Sequence, residues 1–300
     1  MSDGPTPART RAGLPGSSLL TNELLDPATT LTVPGRASLV DAAARLPRAL
    51  ADLGAPRSGG PSLRITDHQV RLALGPATHA PATPFAWSAR TARRALGLRA
   101  IQALVARRAH APVDGARMAI ADAIESARAG DHLASPMGRW LATLPAAGRA
   151  AVEADAATWA TRLWCALDWD AFKEPPLIGR DRWWDSPHSA LLAIRSRAEV
   201  RSVVAGEGGG AFSVHLVVLG GPRRPTIRSE LSVLAMVEAM QAPHSLPPGR
   251  IVGWWPDSGH LVKLEVDEVA LAAGVAAIAR TLARAGGTSA PFEGVALAAA

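Results

Sequence analysis

The spacing of apolar residues changes once along this chain, after Trp169, and that change limits the folds open to it. Before it, apolar residues recur at helical intervals; after it, they alternate or run together as strands do. Val152, Ala156, Trp159, Leu163 and Leu167 mark the clearest helix, over 147–169, with Glu153 and Asp155 near its N-terminal end. Residues 192–204 then read as a strand. Ile194, Ala198 and Val200 fall on one face, and Arg195, Arg197, Glu199 and Arg201 on the other. A hairpin loop at 206–210 leads to a second, nearly all-apolar strand over 212–219. The segment Gly-Gly-Pro-Arg-Arg-Pro-Thr, 220–226, enters a helix carrying Leu231, Leu234 and Ala235. A third strand over 250–255, a turn at 256–259 and a fourth strand over 260–266 follow. Asp267 caps a last helix built on Leu271, Val275, Ile278 and Leu282. The predicted order is β-β-α-β-β-α, in a mixed α/β protein.

The first half is read as helices joined by loops. Residues 1–35 are rich in Pro, Gly, Ser and Thr and read as a mobile tail or surface wrap. Ser38 opens a helix with Leu39, Ala43, Leu46, Leu50 and Leu53 on one stripe, and Pro47 should kink or split it. A loop at 54–62 precedes Leu63–Leu74, which fits a short strand or a helix, and 75–84 reads as a linker. Ser88 caps a helix interrupted by Gly97, and Asp114 caps another with Met118, Ala121 and Ile124 facing inward.

Composition narrows the class. A chain of 300 residues, 48% of them apolar, suits two domains, or one with a large extension, and can bury a real core. The net charge of +6 is unevenly spread: residues 1–150 carry 18 Arg against 10 Asp+Glu, net +8, while 151–300 carry 14 Lys+Arg against 16, net −2. A basic half beside a near-neutral one fits a polyanion partner such as DNA or RNA; the rival reading is solvated arginine from a biased composition, since lysine occurs only at 173 and 263. The single cysteine, Cys165, allows no disulfide framework or zinc cluster within one chain and reads as an inert thiol. No run of 18 apolar residues is present, and the N-terminal residues lack a signal-like apolar stretch, so the expectation is a cytoplasmic protein without a membrane partner.

Five stretches carry a resemblance. They are Ser196-Arg197-Ala198-Glu199, Leu216 to Gly221, Glu230 to Leu234, Gly253-Trp254-Trp255-Pro256-Asp257-Ser258-Gly259, and Val266-Asp267-Glu268; the segment 84–96 adds an entry helix. Their layout, over roughly 84–285, resembles the PD-(D/E)XK nucleases, particularly the RecB-like branch. The resemblance implies a restriction-endonuclease-like β-β-α-β-β-α core with an N-terminal helical region. It divides the chain into a flexible segment 1–35, a mainly helical basic region 36–170 and a nuclease-like core 171–300. It also implies where the chemistry would sit. Glu199 stands at the first metal carboxylate, but Val218 stands at the second and Gly220 at the catalytic lysine; Glu230 and Leu234 replace the helix's glutamine and tyrosine.

Metal-assisted phosphodiester cleavage needs at least two oxygen ligands on a hard cation, which then activates water. The expectation is therefore a catalytically degenerate, nuclease-like pseudoenzyme with no cofactor, binding nucleic acid or a protein partner in a DNA-processing or defence setting. Two other readings stay open. One is an active Mg- or Mn-dependent nuclease with migrated ligands, Glu199 with Glu230 or Asp185. The other is a helical adaptor whose 88–108 segment works as a helix-turn-helix, with Gly97 at the turn.

Each candidate residue has a bland counterpart. Glu199 reads as a metal ligand or as a strand carboxylate balanced by Arg197 and Arg201. Glu230 reads as a migrated ligand or a solvated helix residue. Asp181, Asp185 and His188, around Trp183-Trp184, make half a metal site or serve as loop caps and turns. Arg90, Arg93, Arg94, Arg107 and Arg108 are candidates for nucleic-acid contact, and Arg223 with Arg224 for a phosphate cradle before a helix N-terminus. The paired tryptophans could stack bases, though core packing is their commoner use.

Overall fold

The computed structural model of the chain describes residues 17–26, 33–53, 63–75, 86–129, 136–179, 181–185, 192–205, 210–241 and 247–285. Residues 1–16 of the expected tail, the loops read at 54–62 and 206–209, most of the linker at 75–84 and His188 lie outside them. The helices are α1 (Ser17–Leu25), α2 (Val33–Leu53), α3 (Asp67–Leu74), α4 (Ala89–Val105), α5 (Pro112–Arg128), α6 (Pro136–Thr143), α7 (Ala146–Ala166), α8 (Ile227–Met240) and α9 (Glu268–Ala285). The strands are β1 (Leu63–Ile65), β2 (Leu177–Ile178), β3 (Arg182–Asp185), β4 (Leu192–Ser196), β5 (Val200–Ala205), β6 (Ala211–Val218), β7 (Pro248–Trp255) and β8 (His260–Glu265).

The larger sheet runs β2-β5-β6-β7-β8. β6 and β7 are parallel, because α8 carries the chain across between them, and the other neighbours are antiparallel. Alternation along β6 and β7 divides the core into two. Phe212, Val214, Leu216, Val218, Val252 and Trp254 pack with the helices of the N-terminal half, among them α4, α5 and α7. Val217, Ile251 and Trp255 face the opposite way, into a core with α2, α8 and α9. The result is a helix–sheet–helix sandwich of mixed α/β class.

The expected single strand over 192–204 is two strands in two sheets. β4 lies between β1, parallel, and β3, antiparallel, in a small second sheet, while β5 pairs with β6. The reason is electrostatic. Ser196 and Arg201 both bond the carboxylate of Glu238. They are an odd number of residues apart, so an unbroken strand would hold them on opposite faces. The break at 197–199 corrects that parity and frees Arg197 and Glu199 to reach other partners. Trp183 and Trp184 accordingly belong to β3, not to a loop, with Trp184 buried.

Other expectations change for local reasons. Residues 17–25 are not a tail: α1 buries Leu20 and Leu24, and its backbone carbonyls at Glu23 and Asp26 accept from the fully buried Arg250 guanidinium. Pro47 neither splits nor ends α2, whose Leu39, Ala43, Leu46 and Leu50 are buried on both sides of it. That packing outweighs the cost of about 3 kcal/mol for an interior proline. The stretch 63–74 is both things it resembled, a strand and then a helix with a Thr66–Gln69 capping box. Asp114 sits inside the first turn of α5 behind Pro112, not at its cap, and Ala121 is exposed; Ala116, Ala119, Ile120, Ala123 and Ile124 form the buried stripe. Gly97 does not interrupt α4. It is buried, and a Cβ there would lie 2.4 Å from the Trp159 ring, so its role is close packing against α7. Asp267 caps α9 as expected, accepting from the Ala270 N–H at 2.7 Å.

Among the described glycines, Gly274 at the α8–α9 contact makes the tightest approach to backbone. A Cβ at Gly274 would fall 2.5 Å from the Ser232 carbonyl oxygen. Gly→Ala in a free helix gains about 1 kcal/mol of propensity. Gly274→Ala should instead destabilise the protein by about 1–3 kcal/mol, because backbone must move apart. A melting temperature above that of the wild type would contradict this packing.

Candidate functional site at the ends of β5 and β6

Antiparallel pairing brings the start of β5 against the end of β6, with Val200 opposite Leu216. Glu199, one residue before β5, donates its N–H to the Leu216 carbonyl at 2.8 Å, and its side chain reaches on to Val218. The Val218 N–H donates to Glu199 Oε2 at 2.8 Å. Glu199 Oε1 accepts from Arg94 Nε and, at 3.3 Å, from Arg197 Nε and Nη2. The carboxylate is 0% exposed.

These contacts belong to a closed ring of charges. Arg94 reaches on to Asp181 at 3.8 Å and Arg195 reaches Asp181 at 3.6 Å. Arg195 also pairs with Asp67, and Arg197 bonds Asp67 at 3.3 Å and so returns to Glu199. Three guanidiniums alternate with three carboxylates, drawn from α3, α4, β4 and the segments leading into β3 and β5. Outside Glu199, the ring's side chains are 22–41% exposed, so the ring has one dry corner and an open rim.

The electrostatics follow from the geometry. Burial pushes the Glu199 carboxyl upward, but Arg94, Arg197 and the Val218 N–H together hold it below its ordinary range. Asp67 behaves alike: burial raises it, and Arg197 and Arg195 more than offset that. Burial works against the charge on Arg197, yet Glu199 and Asp67 raise its pKa above the usual value.

A second polar cluster lies under α8. Ser196, Arg182 and Arg201 all donate to Glu238. His215, on β6, is fully enclosed nearby. Burial first, and then Arg201 and Arg182, depress it to about 4 against an opposing pull from Glu238. Its Nε2 lies 3.0 Å from Ser213 Oγ.

The sequence-predicted residues separate into three groups. Glu199 is central, but its counter-charges are Arg94 and Arg197; Arg201, expected beside it, serves Glu238 instead. Glu230 is held by Arg224, at 2.9 and 3.0 Å, and by Thr226 at 2.8 Å. Arg94 is committed to the ring. Arg90, Arg93, Arg107, Arg108 and Arg223 are exposed, while Arg224 is half-buried. Arg90 and Arg93 share the first turns of α4 with Arg94. Arg107 and Arg108 lie past its other end, about 20 Å away at 1.5 Å per residue. Asp185 ends β3, exposed and outside the ring, whereas Asp181 is within it. Asp67, Asp181 and Arg195 were not singled out as a group from sequence. Asp67 lies 128 residues from Arg195, and no local spacing signals their pairing.

The fold resemblance implies a divalent cation at Glu199, and the residues do not fit one. Both carboxylate oxygens already accept protein donors, two of the donors are cations, and the neighbouring position is Val218. Among the described residues no three His, Cys, Asp or Glu side chains are grouped to hold an ion. No family model matches the chain, and no curated protein matches it at a significant level.

Glu199→Gln should destabilise the fold by about 3 kcal/mol, because it leaves two guanidiniums without their dry counter-charge. Chemical denaturation would show the loss as a lower midpoint; an unchanged midpoint would remove Glu199 from the fold's central joint. His215 supplies a pH signature. Its folded pKa lies below the unfolded value of 6.5, so the unfolded state takes up the proton first and stability falls as pH drops from about 6.5 towards 4. At pH 5.5 the His215 contribution is a loss of about 1 kcal/mol, and His215→Gln should flatten the stability profile between pH 7 and 5.5. Below about pH 4.5, protonation of Glu199 and Asp67, both depressed in the folded state, adds a further loss.

Proposed function

We propose that this chain is a non-cleaving protein on the RecB-like PD-(D/E)XK plan, retaining the fold as a scaffold for binding nucleic acid. One observation carries the reading. The two positions that the resemblance assigns to metal ligands, Glu199 and Val218, are hydrogen-bonded neighbours at the ends of adjacent strands, yet only one is a carboxylate and two guanidiniums hold it. The element order β5-β6-α8-β7-β8-α9, with parallel β6 and β7, agrees with a restriction-endonuclease-like core. A guanidinium cannot take a proton from water at neutral pH, so Arg94 and Arg197 offer charge and hydrogen bonds beside Glu199 but no general base.

The partner argument rests on the exposed arginines of the basic half, Arg90, Arg93, Arg107 and Arg108, with Arg223 at the entrance to α8. A DNA-processing or defence role follows from the family analogy. Among the described residues no helix is long and apolar enough to cross a membrane. The rival nuclease with migrated ligands has less support, since Glu230 is tied to Arg224. The helix-turn-helix reading loses its turn, because α4 runs unbroken through Gly97. A protein partner on the same surface is the remaining alternative.

Two measurements test the proposal. Plasmid and single-stranded DNA should remain intact with magnesium or manganese; cleavage abolished by Glu199→Ala would overturn it. Binding to duplex DNA at low salt should weaken in the double variant Arg90→Gln/Arg93→Gln, which leaves the ring's Arg94 in place. If both arginines touch phosphate, the slope of log affinity against log salt should flatten by about 1.8, at about 0.9 per contact. No binding by the wild-type protein at low salt would leave the protein partner as the better reading.

A further inference from the structure

The rim of the charge ring opens into a cleft between α3, the end of β6 and the start of α8. Its cavity volume is about 90 Å³, well below the ~300 Å³ at which pockets enclose drug-sized ligands. It has room for one tetrahedral anion and a few waters. Four guanidiniums line it, those of Arg71, Arg195, Arg197 and Arg224, against two carboxylates, Asp67 and Glu230, leaving a net charge of +2 on the walls. The rest of the lining is mostly apolar, including Val70, Val218 and Ile227, which raises the strength of each charge.

Three details orient the cleft towards an anion. Arg195 Nε is buried and has no hydrogen-bond partner among the described residues. A buried donor left unpaired is costly, and an acceptor reaching it beside this lining residue would recover that cost. Arg71 Nη2 lies 2.8 Å from His68 Nδ1, and among the described residues no carboxylate pairs with Arg71, so its charge is not cancelled by a counter-ion. The first turn of α8 points its N-terminal end at the same place, and its Thr226 hydroxyl is turned to Glu230 instead of capping the helix. A fourteen-residue helix presents partial positive charge at that end.

We propose that this cleft binds a phosphate monoester dianion. The site is too small for an internal phosphodiester with both flanking nucleosides, whereas a terminal phosphate inserts end-on. A 5′-terminal phosphate of a nucleic acid and a free phosphate compound share that chemistry. The inference needs the nucleic-acid reading only for the first of these sources.

Thermal shift and calorimetry with inorganic phosphate, against sodium chloride at equal ionic strength, test the site on the full chain. Phosphate should raise the melting temperature and bind with one-to-one stoichiometry. Two variants report on the cleft without touching the charge ring. Arg71→Gln should weaken phosphate binding roughly tenfold, the worth of one charge-assisted hydrogen bond. Gly220→Glu, at a position where a Cβ meets nothing within 4 Å, should place a carboxylate at the mouth and weaken binding at least as much. No phosphate-specific shift in the wild type, or equal affinity in both variants, overturns the proposal. Oligonucleotides of one sequence with 5′-phosphate or 5′-hydroxyl ends then separate the sources. Preference for the phosphorylated end, competed by inorganic phosphate, assigns the cleft to nucleic-acid termini. Phosphate binding without any oligonucleotide binding supports the cleft while removing the nucleic-acid reading. Equal binding of both oligonucleotides, uncompeted by phosphate, removes the cleft and leaves that reading standing.

Discussion

The closed ring Arg94–Glu199–Arg197–Asp67–Arg195–Asp181 joins parts of the molecule that hydrophobic packing keeps separate. The two apolar clusters lie on opposite faces of the large sheet and have no buried residue in common. Arg94 belongs to a helix of one cluster, and Asp67 begins a helix packed with the other. Ionised groups are costly to bury singly, and a buried pair barely repays its desolvation. A ring changes the balance, since every member has two counter-charges and none is left over. The driest member, Glu199, also has the backbone N–H of Val218, so both of its oxygens accept a donor. At the rim, water and salt screen the outer pairs, and their individual worth is small. The ring's value to the fold is therefore concentrated at Glu199, where solvent cannot substitute for a lost partner.

The same logic fixes the chain's path between the sheets. Glu238 sits on the buried side of α8 and requires donors from beneath it. β3 supplies Arg182, β4 supplies Ser196, and β5 supplies Arg201. An extended strand cannot present Ser196 and Arg201 to one point, so the strand breaks between them, and the break releases Glu199 towards α4. Two polar clusters thus share one discontinuity. At this break the chain passes from the small sheet β1-β4-β3 into the large one.

That discontinuity marks the limit of what local pattern reveals. The strands at 211–218, 248–255 and 260–265, the helix after Gly-Gly-Pro-Arg-Arg-Pro-Thr and the Asp267 cap were legible, because each depends on spacing within a short window. The small sheet was not. It pairs Leu63 with Leu192, and nothing near either residue announces the other. Alternating Arg195, Arg197, Glu199 and Arg201 read as one charged face of a single strand, yet Glu199 and Arg201 are buried, each bound to a charge far away in sequence. Glu199 stood out only through its place in a family layout. Asp67 lay unremarked within a stretch that fitted a strand or a helix, Asp181 read as half a metal site or a turn residue, and their electrostatic role required the third dimension. Gly97 misled for a related reason: its small size serves Trp159, whose ring occupies the space a side chain would need.

On the proposed nuclease-like reading, what the site can do follows from guanidiniums standing where a metal ion would. In a metal nuclease the carboxylates are electron-rich and the ion between them carries the positive charge that meets phosphate. Here Glu199 faces Arg94 and Arg197 directly, so the positive charge resides on side chains and extends outward through Arg195 and Arg197 to the rim. Guanidiniums hold phosphate oxygens in fixed geometry but neither lower the pKa of a bound water nor accept its proton. On that proposed reading the site would keep affinity for a phosphate without the means to activate water. Restoring only one ligand would not reverse it. A carboxylate at Val218 would lie against the already saturated Glu199, and two buried carboxylates would then share two guanidiniums already claimed by Asp67 and Asp181. The added group would instead take up a proton, because like charge and burial both oppose its ionisation.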